Sequence, residues 1–152
     1  MKNKIFVFFA VLTRIFLGAV FVVSGFTKLI KPASSFFSVV ESYQILKGRP
    51  AQAAANVMPW LEYVFGVFLI LGLWVRQTTL LLWAMNLLFI AVLSSALIRK
   101  LPLESCGCFG ESLAMKPGQM LGFDIALSFF FLFLVIFARR ASTASLDKFF
   151  DK

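Results

Sequence analysis

Residues 78–98 read TTLLLWAMNLLFIAVLSSALI, twenty-one consecutive positions without a charged side chain. At ~1.5 Å of rise per residue that stretch makes a helix of about 31 Å, matching the hydrocarbon thickness of a bilayer. Three more apolar runs flank it, and each carries a single charge. Residues 5–26 hold Arg14, residues 59–75 hold Glu62, and residues 120–138 hold Asp124. Over the 152 residues, 61% are apolar and 14% are charged, with a mean hydropathy of +0.91. A soluble domain of this size has too little polar side chain to cover that much apolar surface, so lipid is the expected solvent.

The expected fold is all-α, an integral membrane four-helix bundle forming a single domain over residues 1–152. The spans are 5–26, 59–75, 78–98 and 120–138, with a connecting loop over 99–119 and a polar tail over 139–152. The first span has a basic start, Lys2 and Lys4, like a secretory signal, but it is longer than a signal core and no small-residue cleavage site follows promptly, so it reads as uncleaved. Between the first two spans, Phe36, Val39, Val40, Tyr43 and Leu46 recur at helical spacing beside Ser35, Ser38, Glu41, Ser42 and Lys47. That pattern predicts a short amphipathic helix on the bundle or in the interface. Arg49 and Pro50 suit a first helical turn, and Pro59 predicts a kink or a helix boundary where the membrane part begins. Arg76 and Gln77 predict a tight polar turn that makes the second and third spans an antiparallel pair.

The 15 Lys and Arg exceed the 7 Asp and Glu by eight. Most of the cations sit at the ends of apolar runs, as Lys2 and Lys4, Arg99 and Lys100, and Arg139 and Arg140 do. This pattern points to membrane orientation and lipid headgroups and away from nucleic acid. Histidine is absent, which removes the commonest metal ligand and the commonest general base near neutral pH. Four spans place both termini on one side and the 27–58 and 99–119 segments on the other. The cations divide seven against seven between those sides, so counting them does not orient the chain. Flanking of the first and last spans by Lys2, Lys4, Arg139 and Arg140 favours cytoplasmic termini. An extracytoplasmic, oxidising location also suits a close cysteine pair.

An ionisable group inside a span is costly unless it faces the bundle interior and finds a partner, so Arg14, Lys28, Glu62 and Asp124, with the amide of Asn86, form an expected polar network. Counting residues from the predicted span ends puts Glu62 and Asp124 within about one turn of the loop-side surface, level with Lys28, and puts Arg14 deeper, level with Asn86. Lys28 then neutralises Glu62 or Asp124, and Arg14 is held by Asn86, by backbone carbonyls or by an acid reaching deeper. The alternative is a polar cavity open to the loop side, whose acids exchange protons with the cysteines. Gly18, Ser24, Gly25, Gly66 and Gly72 permit close helix approach. The phenylalanines of the last span are lipid-facing and core mass.

Cys106-Gly107-Cys108-Phe109-Gly110 is the sharpest chemical signal. A disulfide across one intervening residue closes a very small ring with a demanding sulfur torsion, and Gly107 relieves the backbone. Strained, exposed pairs are readily reduced, which favours thiol–disulfide exchange through Cys106 and Cys108. A static staple and a two-thiolate copper(I) site, with Met115 as a third ligand, are the competing readings; no metal site is expected.

Several motifs together carry a family resemblance. Arg14-x-x-x-Gly18, Phe21-x-x-Ser24-Gly25-x-x-Lys28-Leu29, Tyr43-x-Ile45-Leu46, Pro59-x-x-Glu62-x-x-x-Gly66 and the Cys-Gly-Cys-Phe-Gly element resemble the DoxX/MauE group of small four-helix membrane proteins. The cysteine element points to the MauE-like branch, named for methylamine utilisation. The resemblance implies a redox-associated role outside the cytoplasm, in a bacterial inner membrane, where MauE is linked to maturation of a disulfide-rich dehydrogenase subunit. The implied partner is an extracytoplasmic thioredoxin-like or disulfide-rich protein. A quinone between helices is the candidate second electron acceptor, and no cofactor motif marks its place. The runner-up is a non-catalytic binding or assembly subunit built around the polar cavity. The DoxX side of the resemblance adds the membrane subunit of a sulfur-compound quinone oxidoreductase.

Overall fold

The computed structural model describes residues 2–101 and 116–136. Among these the chain forms five helices: α1 (Lys2–Ile30), α2 (Ala33–Ser42), α3 (Arg49–Leu71), α4 (Val75–Ile98) and α5 (Pro117–Ile136). There is no strand among the described residues. α1 from Val7, together with α3, α4 and α5, is long and apolar enough to cross a membrane. The fold is therefore the expected all-α membrane bundle, with α2 as the short amphipathic helix between the first two spans.

The bundle is built from two antiparallel pairs. α1 packs along α3 and α4 along α5, with α2 laid on α3. Glycine sets how close α1 and α3 come. A Cβ on Gly25 lies 2.7 Å from the Pro59 carbonyl oxygen and 2.7 Å from the Tyr63 nitrogen, and one on Gly66 lies 2.9 Å from the Val22 nitrogen. Backbone meets backbone there, and in lipid, where there is no hydrophobic drive between helices, that contact area is what holds them. The two pairs join through Leu17, Phe21, Leu82, Leu127 and Phe131. Phe21 and Phe131 meet edge to face, 5.6 Å between ring centres. A second layer at the loop-side end gathers Tyr43, Leu93, Ala96 and Met120.

Two boundaries differ from the sequence expectation. α3 begins at Arg49 with Pro50 in its first turn, as the sequence predicts, and Pro59 lies inside it, so the expected span start at 59 is not a helix boundary. The early turns are alanine-rich, which favours helix without giving a membrane-like hydropathy, and Ala51 and Ala55 are buried on the helix against which α2 packs. The turn between α3 and α4 is Gly72-Leu73-Trp74, not Arg76-Gln77, which fall in the first turn of α4. Gly72 takes the left-handed conformation (φ 76°). The amide of Leu73 then reaches back to the Phe68 carbonyl at 2.9 Å, closing α3 with glycine at the position where a Cβ is disfavoured.

Candidate functional site

Ser24 and Lys28 are one helical turn apart on α1, so both side chains fall on the same face, toward α3. Lys28 Nζ donates to both carboxylate oxygens of Glu62, at 2.7 and 2.8 Å. The Ser24 hydroxyl donates to Oε2 at 3.0 Å. Lys28 and Glu62 each have side chains only 1% exposed. The ammonium also lies over two aromatic faces, Phe36 of α2 at 5.1 Å and Phe89 of α4 at 5.0 Å. An ion pair this deep is costly to desolvate. It holds because both carboxylate oxygens accept from donors and the ammonium lies between a carboxylate and two ring faces. Of the two acids that sequence offered Lys28, Glu62 is the one it meets.

Asn86 of α4 and Asp124 of α5, also buried, complete the ring around this pair. Asn86 Oδ1 accepts from the Ser128 hydroxyl at 2.8 Å, linking α4 to α5. Ser24, Lys28, Glu62, Asn86, Phe89 and Asp124 line one cavity with about 20 Å³ of space for water centres. A single water needs roughly 10–15 Å³ on that measure. The cavity therefore has room for a water or two.

Arg14 stands apart from this group. Buried at 3% exposure, it donates from Nη2 to the Ile70 carbonyl at 3.4 Å, one of the last carbonyls of α3, where the helix lacks its own donors and its dipole is negative. Glu62 stands beside Lys28, as the sequence predicts, and Arg14 lies farther from the loop-side end, but the depths counted from sequence are not those observed. α3 starts at Arg49, so Glu62 lies thirteen residues in, ~20 Å from the end of its helix. Arg14 belongs to the turn-side end of α3, and its level is not that of Asn86. The structure thus brings Lys28, Glu62, Asn86 and Asp124 to one cavity and leaves Arg14 outside it.

Sequence reasoning assigned Ser24 to packing and did not single out Ser128, Phe36 or Phe89 for the site. The spacing of Ser24 one turn before Lys28 was the available signal. Cys106 and Cys108 lie outside the described residues. The segment carrying them leaves α4 after Ile98 and returns at Pro117, at the end of the bundle that holds the Tyr43 layer. No group of metal-ligating side chains occurs among the described residues.

The family model described as "Methylamine utilisation protein MauE" matches residues 6–141, a stretch that includes both cysteines. The methylamine utilization protein MauE of Paracoccus denitrificans is 29% identical over 108 residues, covering 71% of this chain and 58% of that protein. The matched part thus spans less than two thirds of the relative's length. No solved structure matches.

Proposed function

Because this chain belongs to the methylamine utilisation protein MauE family, we propose that it serves methylamine utilisation as a membrane-held partner in thiol–disulfide exchange, acting through Cys106 and Cys108. The observation that carries this reading is the family match running through the Cys106-Gly107-Cys108 element. The helix pairing supports it by bringing that segment's flanks, Leu101 and Lys116, to one end of the bundle. The partner is an extracytoplasmic thioredoxin-like or disulfide-rich protein.

The exchange balances without a cofactor. A thiolate of one protein attacks the disulfide of the other, forming a mixed disulfide and releasing one thiolate. The second thiol of the attacking pair then loses its proton and resolves the mixed bond. One protein gains a disulfide as the other becomes a dithiol, and two electrons and two protons have changed hands.

Single-cysteine trapping tests this. The Cys106→Ser and Cys108→Ser variants, each keeping one thiol, are expected to accumulate a mixed disulfide that a reducing agent dissolves, and the double variant is expected to abolish growth on methylamine. Absence of any adduct, with full growth of the double variant, rejects the redox reading. A membrane-impermeant thiol reagent is expected to label the pair in intact, mildly reduced cells, consistent with cytoplasmic termini in a bacterial inner membrane. Labelling only after lysis puts the pair on the other side.

The buried Lys28–Glu62 pair beside Asn86 and Asp124 favours one second reading, an assembly subunit that uses the cavity and not the thiols. In that case Asp124→Asn abolishes growth on methylamine and the double cysteine variant does not.

A further inference from the structure

The described residues carry a second feature that neither the cavity nor the thiols account for. Glu62 and Asn86 line the same cavity. Glu62 is thirteen residues after Arg49 and Asn86 is twelve before Ile98, or ~20 and ~18 Å along their helices. The start of α3 and the end of α4 therefore stand at one height. The Tyr43 layer, which includes Leu93, Ala96 and Met120 and packs against Leu101, draws the α2–α3 turn, the end of α4 and the start of α5 together there.

Five exposed cations surround that layer: Lys47, Arg49, Arg99, Lys100 and Lys116. They come from three separate stretches of sequence and converge only in the fold. Exposed aliphatic side chains adjoin them in the chain, Ile45 at 48%, Leu46 at 39%, Leu97 at 38% and Ile98 at 82%. The α2–α3 turn is held in shape, with the Gly48 amide donating to Glu41 Oε1 at 3.0 Å and with positive φ at Gln44 and Gly48. Counting by sequence the acids of the same segments, Glu41, Glu104 and Glu111, the cations still outnumber them.

We propose that this rim binds anionic phospholipid headgroups. The aliphatic side chains enter the acyl boundary, while the lysines and arginines reach up from it to the phosphates. The pairing of apolar tips with cations at one height is what selects lipid over a soluble acidic protein, which has no acyl layer to receive Ile45, Leu46 and Ile98. The end of the bundle carrying the cysteine segment is thereby fixed to an anionic leaflet surface.

The test is native mass spectrometry of the purified full chain equilibrated with equal amounts of phosphatidylglycerol and phosphatidylcholine. The wild-type chain is expected to retain phosphatidylglycerol preferentially, and added salt is expected to weaken that preference. Combined Lys47→Gln, Arg49→Gln and Lys100→Gln lowers the preference by about fivefold for each cation removed. Arg76→Gln, on the opposite end of the bundle, leaves it unchanged. A lipid-free thermal melt of the triple variant checks its fold, and the single Lys47→Glu variant replaces it if that fold is lost. Equal retention of the two lipids by the wild-type chain overturns the proposal. So does a variant that keeps the lipid preference but loses its mixed disulfide, because that result assigns the rim to a partner protein.

Discussion

Lys28 and Glu62 form a buried ion pair, and removing one partner is not the same as removing both. Glu62→Gln leaves an ammonium at 1% side-chain exposure with a neutral amide in place of a carboxylate, and is expected to cost about 3–5 kcal/mol. Lys28→Met combined with Glu62→Leu removes both charges, keeps similar volume, and is expected to cost less than Glu62→Gln alone. Thermal unfolding of the three proteins in nanodiscs measures the order; a double variant weaker than the single one contradicts it. Lys28, Glu62, Asn86 and Asp124 were legible in the sequence because an ionisable or amide side chain is conspicuous against an apolar run. The choice between Glu62 and Asp124 was not legible, because it depends on the register of α1 against α3, which glycine contacts fix. Ser24 and Ser128 escaped for a simpler reason: serine is common at helix contacts and is not conspicuous until its acceptor is known. Backbone carbonyls were among the partners expected for Arg14, and it meets that of Ile70; which carbonyl it meets carries no sequence signal.

For whole elements, hydropathy located the spans because lipid selects for apolar side chains on every face that meets it. It failed where a helix packs on protein. The turns of α3 before Pro59 are alanine-rich and their neighbour is α2, so their burial owes nothing to lipid. The glycines make the same distinction testable within one residue type. Gly25→Ala places a Cβ 2.7 Å from α3 backbone atoms that cannot swing aside, and is expected to cost about 1–3 kcal/mol by pushing α1 from α3. Gly122→Ala, at a position of α5 with nothing within 4 Å, is expected to leave stability unchanged or raise it by up to about 1 kcal/mol. Both are read by thermal melts in the same lipid. Equal effects at the two positions contradict the assignment of Gly25 to the α1–α3 contact.

Over the whole molecule, the two helix pairs differ in how they are tied. α1 and α3 meet through backbone contact and the buried ion pair, α4 and α5 through the Asn86–Ser128 bond, and the pairs meet each other through side chains such as Phe21 on Phe131 and around the polar cavity. Each pair is complete within one half of the chain, because the Gly72-Leu73-Trp74 turn falls between them. Cutting the chain there leaves residues 1–73 with α1, α2 and α3, and residues 74–152 with α4 and α5. The two pieces, co-expressed with an affinity tag on one, are expected to purify as a complex. The covalent link supplies a high effective concentration to the inter-pair contact, so a weakened contact is exposed only once the link is gone. Phe131 is fully buried at that contact. Phe131→Ala is therefore expected to abolish recovery of the split complex while the intact chain still elutes as a folded species in mild detergent. Recovery of the split complex undiminished by Phe131→Ala shows that the halves are held elsewhere, at the cavity, and Asp124→Leu then becomes the substitution that separates them.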